Sequence, residues 1–308
     1  MSNRRHHRIA YSQNFLRNSQ LVDRLLDRSG IGADDLVIEI GPGRGVITDR
    51  LAARCRQVLA VEQDPVLVEG LRVQFAHAAN VALFADDFRR FPLPRTPYKV
   101  FANIPFNITA AIVGKLTSGA SPPIDTYLAV QREAAARFMG TPQETLVAVL
   151  LKPWFEPTVV HRFRPTDFFP RPGVEVVLLR LRQREVPLVS PSDAALFGDF
   201  TAYVFTAWQP TVREALARIL PKRLVADIER AAGVSLDRPP SATPFASWLS
   251  LGVAFRMVAG ERVATVKGAR DALQRQAGPS AEGASHTGIA LTAQDQRATT
   301  RCRQKWGR

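Results

Sequence analysis

Between about residue 20 and residue 182 two patterns alternate along the chain: segments with apolar residues three or four apart, and short runs that are almost wholly apolar. The first pattern marks amphipathic helices, the second strands covered on both faces of a mostly parallel sheet. "LVDRLLDRSG" reads as a helix closed by Gly30, "LVIEIG" as a strand, "VITDRLAARC" as a helix and "QVLAVEQD" as the next strand. The order continues through "VALFADDF", "KVFANIP", "TAAIVGKLTSG", "DTYLAVQ" and "REAAARFMG". This alternation predicts a doubly wound α/β fold, with ligands held at the carboxyl ends of the strands. A late pair, "PWFEPTVVHRF" and "VEVVLLRLRQR", reads as two strands joined by "RPTDFFPRPG", a hairpin-like end to the sheet.

At "QREVPLVSPSD" prolines and serines interrupt the pattern, and the chain beyond them reads as helix. The helices expected are "ALFGDFTAYVFTAW", "TVREALARILP", "KRLVADIERAAG" and "FASWLSLGVAFRMVAG", with Pro210, Pro221, Pro239 and Pro240 as stops between them. The expected organisation is a sheet domain over 1–184, a small helical domain over 185–265 and a tail over 266–308. The tail loses apolar periodicity and carries eight basic residues against three acidic ones, so disorder is expected there. No repeat of solenoid period is present.

Composition adds a partner class. The chain has 308 residues, 46% of them hydrophobic, enough for a sizeable core; 41 Lys and Arg against 28 Asp and Glu give a net charge of +13. That balance favours polyanions, nucleic acid first and anionic membrane second. No apolar run is long enough to span a bilayer, and "MSNRRHHRIAYSQNF" lacks the apolar core of a signal peptide, so a cytoplasmic location is expected. Cys55 and Cys302 cannot make a disulfide framework or a cysteine metal cluster. His6, His7, His77, His161 and His286 show no ligand spacing, and no metal is expected.

"VIEIGPGRGVIT" places Gly41, Gly43 and Gly45 after a strand and before a helix, where the backbone can pass close to a ligand. The following strand ends in Glu62, 21 residues after Gly41, where an acid can bind a ribose diol. The third strand ends in Asp86 and Asp87, acids placed to reach an adenine exocyclic amine. Three successive strand ends thus point to one adenosine-type ligand, and two classes fit: a nicotinamide dinucleotide or S-adenosylmethionine. A dehydrogenase would need a proton-relay group such as a Tyr-Lys pair or a His with a carboxylate, and none accompanies these motifs.

The fourth strand, "YKVFANIPFNIT", ends instead on Asn103, Ile104, Pro105 and Phe106. A residue before proline is biased to extended backbone, so the Ile104 carbonyl is held at a defined angle. That carbonyl and the Asn103 side-chain oxygen can accept the two hydrogens of an exocyclic amine. Such a grip favours a pyramidal adenine N6 and localises its lone pair toward an electrophilic methyl, while the Phe106 ring stacks on a base flipped from its helix.

The motifs "YSQNFL", "EIGPGRG", "VEQD", "ADDF", "NIPFNIT" and "FFPRPGVEVVLLRL", in this order, resemble the rRNA adenine N6-methyltransferases over essentially residues 8 to 184. The helical segment to about 265 also suits that family. The wording "KVFANIPFNIT" is more similar to the erythromycin-resistance (Erm) branch than to the housekeeping small-subunit dimethyltransferases, which usually show "NLPY". The resemblance implies a Rossmann-like class I methyltransferase domain using S-adenosyl-L-methionine, followed by a helical RNA-binding domain. It implies transfer of one or two methyls to an adenine in the peptidyl-transferase loop of 23S rRNA, before full subunit assembly, by a monomer, with resistance to macrolides, lincosamides and streptogramin B. The cofactor contacts it implies are Asn14, Leu16, Gly41, Gly43, Glu62, Asp87 and Asn103. The catalytic segment is Asn103 to Phe106, with Phe106 and Phe168 on either side of the target base and Phe169 next in line after Phe168. Phe106 stands where many members have Tyr, so a phenolic hydroxyl has no counterpart here.

The basic arm "NRRHHR", "RLRQR" at 180–184, Lys222, Arg223 and the tail arginines are candidate phosphate contacts, whereas Trp208 and Trp248 are expected in the helical core. Two other readings stand beside the Erm one: a small-subunit adenine dimethyltransferase, and an RNA-binding assembly factor without the chemistry. The intact Gly41, Gly43, Glu62, Asp87 and Asn103 argue against the last.

Overall fold

A computed structural model describes residues 14–276. The arm "NRRHHR", Tyr11 to Gln13, Cys302 and the tail from residue 277 lie outside the described residues. The described chain divides into two compact units, 14–135 with 156–183, and 136–155 with 184–276.

In the first unit, β1 (Phe15–Leu16) precedes a sheet made of β2 (Leu36–Ile40), β3 (Gln57–Glu62), β4 (Val81–Ala85), β5 (Lys99–Asn103), β6 (Asp125–Gln131), β7 (Phe155–Arg162) and β9 (Val176–Gln183); the short β8 (Phe168–Phe169) lies between the last two in sequence. The seven strands run in the order β4-β3-β2-β5-β6-β9-β7. β4, β3, β2, β5 and β6 are mutually parallel, and β9 pairs antiparallel with β6. β2 lies at the centre, buried along its whole length as its continuous apolar run requires. From β2 the chain steps outward to β4 and then returns to β5 on the other side. The carboxyl ends of β2 and β5 therefore meet at the switch point, where open α/β sheets bind ligands.

The connecting helices are α1 (Ser19–Asp27), α2 (Val46–Ala52), α3 (Pro65–Gln74), α4 (Thr109–Ser118) and α5 (Arg132–Met139). α1 starts where Asn18 Oδ1 accepts the Leu21 amide at 3.0 Å, and it buries Leu21, Val22, Leu25 and Leu26 on one face. α3 starts at Asp64, whose carboxylate accepts the Val66 amide at 2.9 Å, with Pro65 supplying a preset φ at the first helical position.

A two-stranded ribbon joins the ends of this unit. β1 pairs antiparallel with β8, with Phe15 opposite Phe169 and Leu16 opposite Phe168. Because successive side chains on a strand face opposite ways, Leu16 and Phe168 share the inner face and enter the core, 5% and 1% exposed. Phe168 meets the Phe163 ring edge-on at 5.2 Å, while Phe169 is 51% exposed beneath the Arg17 guanidinium at 5.1 Å. This corrects the choice of Phe168 as a base-stacking ring: its face is spent on the core, and the solvent-facing ring of the pair is Phe169.

The second unit contains α6 (Leu146–Leu151), α7 (Ala194–Thr206), α8 (Val212–Ala217), α9 (Lys222–Ala232), α10 (Phe245–Ala259) and α11 (Ala269–Gln276). Its core is built on Phe200, Trp248 and Phe255, with Phe205 stacked on Trp248 at 5.1 Å. The sequence boundary at 185 assigned 136–155 to the sheet domain. In the structure those residues belong to the helical unit, because α6 forms there, capped by Thr145 Oγ1 on the Ala148 amide at 3.1 Å, and its Val149 enters the helical core. Order also persists past 266: Val266 is buried, and the Asp199 carboxylate accepts the Gly268 and Arg270 amides at 2.9 and 3.1 Å, fixing the start of α11. Disorder from 266 is thereby overturned for 266–276. Trp248 is buried as expected, but Trp208 is 74% exposed at the end of α7, with φ of 55°.

The ribbon register makes a test. Phe168→Ala is expected to destabilise the fold by about 3 to 5 kcal/mol, the range for truncating a buried Phe, read as a lowered Tm. Phe169→Ala should leave Tm within a degree or two; equal losses would mean that the ribbon faces the other way.

Candidate active site

The loop after β2 is shaped by its glycines. Gly41, Gly43 and Gly45 have φ of 65°, 60° and 77°, the left-handed region that side chains disfavour. A Cβ on Gly43 would come within 2.7 Å of the Phe15 ring, so only glycine lets β1 lie against the loop. The Gly41 amide donates to Val61 O at 2.9 Å, tying the loop to β3.

Glu62, the last residue of β3, closes the same loop. Its carboxylate is 1% exposed and accepts three backbone amides, Gly43 on Oε2 at 3.1 Å and Gln63 and Asp64 on Oε1 at 2.9 and 3.0 Å. Burial pushes its pKa up, and the amides of Asp64, Gly43 and Gln63 offset only part of that. At the end of β4, the Asp87 carboxylate is gripped by Arg89 Nε at 2.9 Å and Nη2 at 2.6 Å. Burial alone would raise the Asp87 pKa, but Arg89 outweighs it and holds it low. Asp87 is therefore an anion with its lone pairs partly committed, while its neighbour Asp86 is the more open acid, its side chain 40% exposed against 14%.

At the end of β5, Asn103 Nδ2 donates to the Asn14 carbonyl at 2.6 Å. With the donor half of the amide committed to Asn14, the oxygen is the half that can grip a ligand. Ile104 is buried, Pro105 is extended at φ −60° and ψ 127°, and Phe106 opens a 3-10 turn in which its carbonyl accepts Thr109 Oγ1 at 3.0 Å. Asn14, Phe15, Gly41 and Asn103 to Phe106 line one open cleft at the switch point. Gly43 and Glu62 adjoin it through the Gly41 loop. Leu16 does not line it; its side chain belongs to the core.

Two features of the site are absent from the sequence-based expectations. Phe15 stands within "SQNFL" between the expected Asn14 and Leu16, and it lines the cleft. Glu39 is hidden in "LVIEIG", where a single acid among apolar residues is the signal that could have found it. It is 1% exposed, its Oε2 accepts Thr48 Oγ1 at 2.6 Å, and its Oε1 has no partner among the described residues. Burial, opposed by the Thr48 bond and reinforced by the Glu62 charge, pushes its pKa up to about 8.

These observations fit an adenosine-bearing sulfonium. A Cβ on Gly41 would meet nothing within 4 Å, as expected of a backbone that borders a ligand space. The acids after β3 and β4 suit a ribose and an adenine edge, and Glu39 supplies a buried polar atom without a partner among the described residues. Among the described residues no group of three His, Cys, Asp or Glu is placed to hold a metal ion, and no helix is long and apolar enough to cross a membrane.

Fold and cleft together define a Rossmann-like class I methyltransferase that uses S-adenosyl-L-methionine. Within that class the chain belongs to the ribosomal RNA adenine dimethylase family, whose model matches residues 4–252. It is therefore an rRNA adenine N6-methyltransferase. Similar proteins include the ribosomal RNA small subunit methyltransferase A of Prochlorococcus marinus, 33% identical over 264 residues that cover 80% of this chain and 93% of that protein. The rRNA adenine N-6-methyltransferase of Aeromicrobium erythreum is 29% identical over 279 residues, 90% of this chain and 81% of that one. Among solved structures, the 23S rRNA methyltransferase ErmE superposes with a TM-score of 0.72 at 28% identity, over 79% of this chain and all of that one.

Glu39 sets a pH dependence. An acid whose pKa rises from 4.5 to about 8 on folding binds more protons in the folded than in the unfolded chain between those values. Its contribution is thus fully present below about pH 4.5 and is lost as pH rises toward 8, by an amount on the order of a few kcal/mol. Thermal melts of the cofactor-free protein from pH 5 to 8 should show Tm falling more steeply for wild type than for Glu39→Gln; parallel curves would refute a buried protonated Glu39.

Proposed function

We propose that this enzyme is of the Erm type: it adds one or two methyls to N6 of a single adenine in the peptidyl-transferase loop of 23S rRNA and so confers resistance to macrolides, lincosamides and streptogramin B. The observation that carries this reading is the cleft segment Asn103-Ile104-Pro105-Phe106, whose wording is more similar to the Erm branch than to the small-subunit one and whose amide is already tied by its nitrogen to Asn14. The likeness to a 23S rRNA methyltransferase over that protein's full length supports it. The similarity to small-subunit methyltransferases favours the second reading, a 16S rRNA dimethyltransferase acting in subunit assembly. In either case we take the enzyme to act in the cytoplasm, as a monomer, on rRNA before the subunit is complete, with the helical unit contributing RNA contacts.

In this reading Asn14, Gly41, Gly43, Glu62 and Asp87 hold the cofactor, and Leu16 contributes through its backbone. S-adenosylmethionine supplies, when bound, a methyl group on a positively charged sulfur. The Asn103 oxygen and the Ile104 carbonyl accept the two N6 hydrogens of the flipped adenine, so that the nitrogen lone pair turns away from the ring and toward the methyl. Phe106 stacks on one face of the base and Phe169, in place of Phe168, meets it from the other side. No general base is required, because the nitrogen becomes acidic as the new bond forms and its proton already lies against an acceptor.

Mass spectrometry of 23S and 16S rRNA from cells with and without the gene, scored at each adenine, decides between the readings. A methylated adenine confined to the 23S peptidyl-transferase loop is expected, and one confined to 16S rRNA would establish the alternative. Asn103→Ala should lower methyl transfer by at least about 100-fold, as losing an aligned polar contact in a transition state does, with cofactor affinity by calorimetry weakened far less. Unaltered turnover would reject the amide grip.

A further inference from the structure

A second opening lies on the first unit, away from the cofactor cleft. It is a groove between α1 and the end of β7, bordered by the 3-10 turn Pro165–Asp167. Arg24 lines it from α1 and Arg28 from the C-cap of that helix, Arg162 from the last position of β7 and Arg164 from just beyond the strand. None of these four guanidiniums has a hydrogen-bonded or ionic side-chain partner among the described residues. Many arginines elsewhere in this unit are matched to acids, among them Arg54 to Asp27, Arg72 to Glu69, Arg89 to Asp87 and Arg180 to Asp125; what sets these four apart is that they converge on one groove.

The one acid in the groove does not neutralise it. Asp167 spends Oδ2 on the Arg164 backbone amide at 2.7 Å, so four positive charges face a single carboxylate. His161 also lines the groove, and its Nε2, shielded from solvent, has no partner among the described residues. A cation in the last turn of a helix complements the helix dipole, which accounts for Arg24. The same effect suits Arg28 at the C-cap, but the two sit at a like-charge i, i+4 spacing that is unfavourable without a counter-ion, and the dipole does not account for Arg162 and Arg164 opposite. Unpaired guanidiniums converging from two elements are the arrangement that forks onto phosphate oxygens.

Position selects which phosphates. Asn14 lines the cofactor cleft and Asn18 the groove. Three residues lie between them, and the four steps from Asn14 to Asn18 span at most about 14 Å, the reach of a few nucleotides. Arg17 and the exposed Phe169 ring lie on that path, and the Arg17 amide donates to Asp167 O at 3.1 Å, joining the ribbon to the rim of the groove.

We propose that the groove between α1 and β7 binds backbone phosphates of the rRNA on the strand flanking the adenine presented to the cleft, as a register-setting contact separate from the base grip. It rests on the rRNA substrate class alone and holds for either ribosomal subunit. The contacts are to phosphate, so they position the RNA without reading its sequence.

The test uses the full chain and a protein-free rRNA fragment containing the adenine that the enzyme methylates, 23S or 16S. Arg24→Gln/Arg28→Gln and, separately, Arg162→Gln/Arg164→Gln are expected to weaken RNA binding about fivefold to tenfold near ~0.15 M salt. They should also reduce the slope of log Kd against log salt by about 1 to 2. KM for RNA should rise, while kcat at saturating RNA, cofactor binding by calorimetry and Tm stay at wild-type values. The double lysine variants should keep most of the affinity. Arg56→Gln/Arg72→Gln, exposed positions outside the groove, should leave binding nearly unchanged. Unaltered affinity and slope in both groove pairs, or equal weakening by the Arg56 and Arg72 pair, would overturn the proposal. Failure of the 23S reading shows in which RNA the wild type methylates, whereas failure of the groove shows only in the ratio of variant to wild type.

Discussion

The hydrogen bond from Asn103 Nδ2 to the Asn14 carbonyl, 2.6 Å long, is the contact on which the rest of the site depends. It spans 89 residues of sequence and joins the end of β5 to the segment that leads into β1. A backbone carbonyl can only accept, so the Asn103 amide must present its nitrogen there and keep its oxygen for the cleft. The same bond holds Asn14 beside β1, whose Phe15 ring lies on Gly43 and whose Leu16 is anchored in the core. One contact thus sets the polarity of the Asn103 amide and places the segment over the glycine loop. On the proposed reading a positional error there would pass to both ligands, because the cleft lies at the switch point between β2 and β5.

Beneath that surface the site contains two buried acids with different roles. Glu62 accepts three backbone amides and clasps β3 to the glycine loop, a structural task beside the ligand-binding one that its place at a strand end suggested. Glu39 is short of partners: one oxygen takes Thr48 Oγ1 and the other has none among the described residues. A protonated carboxyl solves much of the burial cost, because a neutral group loses far less on leaving water than a charged one. The central strand therefore accommodates an acid where apolar neighbours would otherwise forbid it. Proximity to Glu62 works in the same direction, since two anions at adjacent strand ends would repel.

The succession of strands and helices, the glycine loop and the polar end of β5 were legible because each is written in local sequence: continuous apolar runs, glycines after a strand, and a proline that fixes its predecessor. What escaped depended on pairing between distant segments. "FFPRP" contains two adjacent rings that must face opposite ways in a strand, and nothing within the segment says which faces in; Leu16, paired with Phe168 from 152 positions away, decides it. Asp87 looks like a free acceptor in the local sequence, which does not show that Arg89, two residues on, folds back to grip it. The helix at Leu146–Leu151 was lost in an apolar run too short to tell helix from strand, although Thr145 offered a cap. Its capture by the helical unit is a packing outcome, through Val149, that no linear boundary signal carries. Trp208 fails for a related reason: hydrophobicity places an average tryptophan inside, but this one follows the last turn of α7, where the chain leaves the core.

Charge shows the same division between what a count gives and what geometry adds. A net charge of +13 argues for a polyanionic partner, yet it says nothing about where that partner lies. Paired arginines contribute little to the field beyond their own ion pairs, because each carries its counter-charge within hydrogen-bond distance. Those at 54, 89 and 180 are of this kind. The field available to an RNA strand comes from guanidiniums left without acids, and in the first unit four of these gather in one groove. For an enzyme that must lift one base out of its stack, such a distribution has a physical use. Flipping breaks stacking and pairing, and the cost is recovered only if the flanking backbone is held while the base is out. A phosphate grip within about 14 Å of the cleft supplies that hold without competing for the base itself. In the proposed reading, separating the two tasks leaves the Asn103 amide to grip adenine N6 while the backbone phosphates, the same on every nucleotide, set the register.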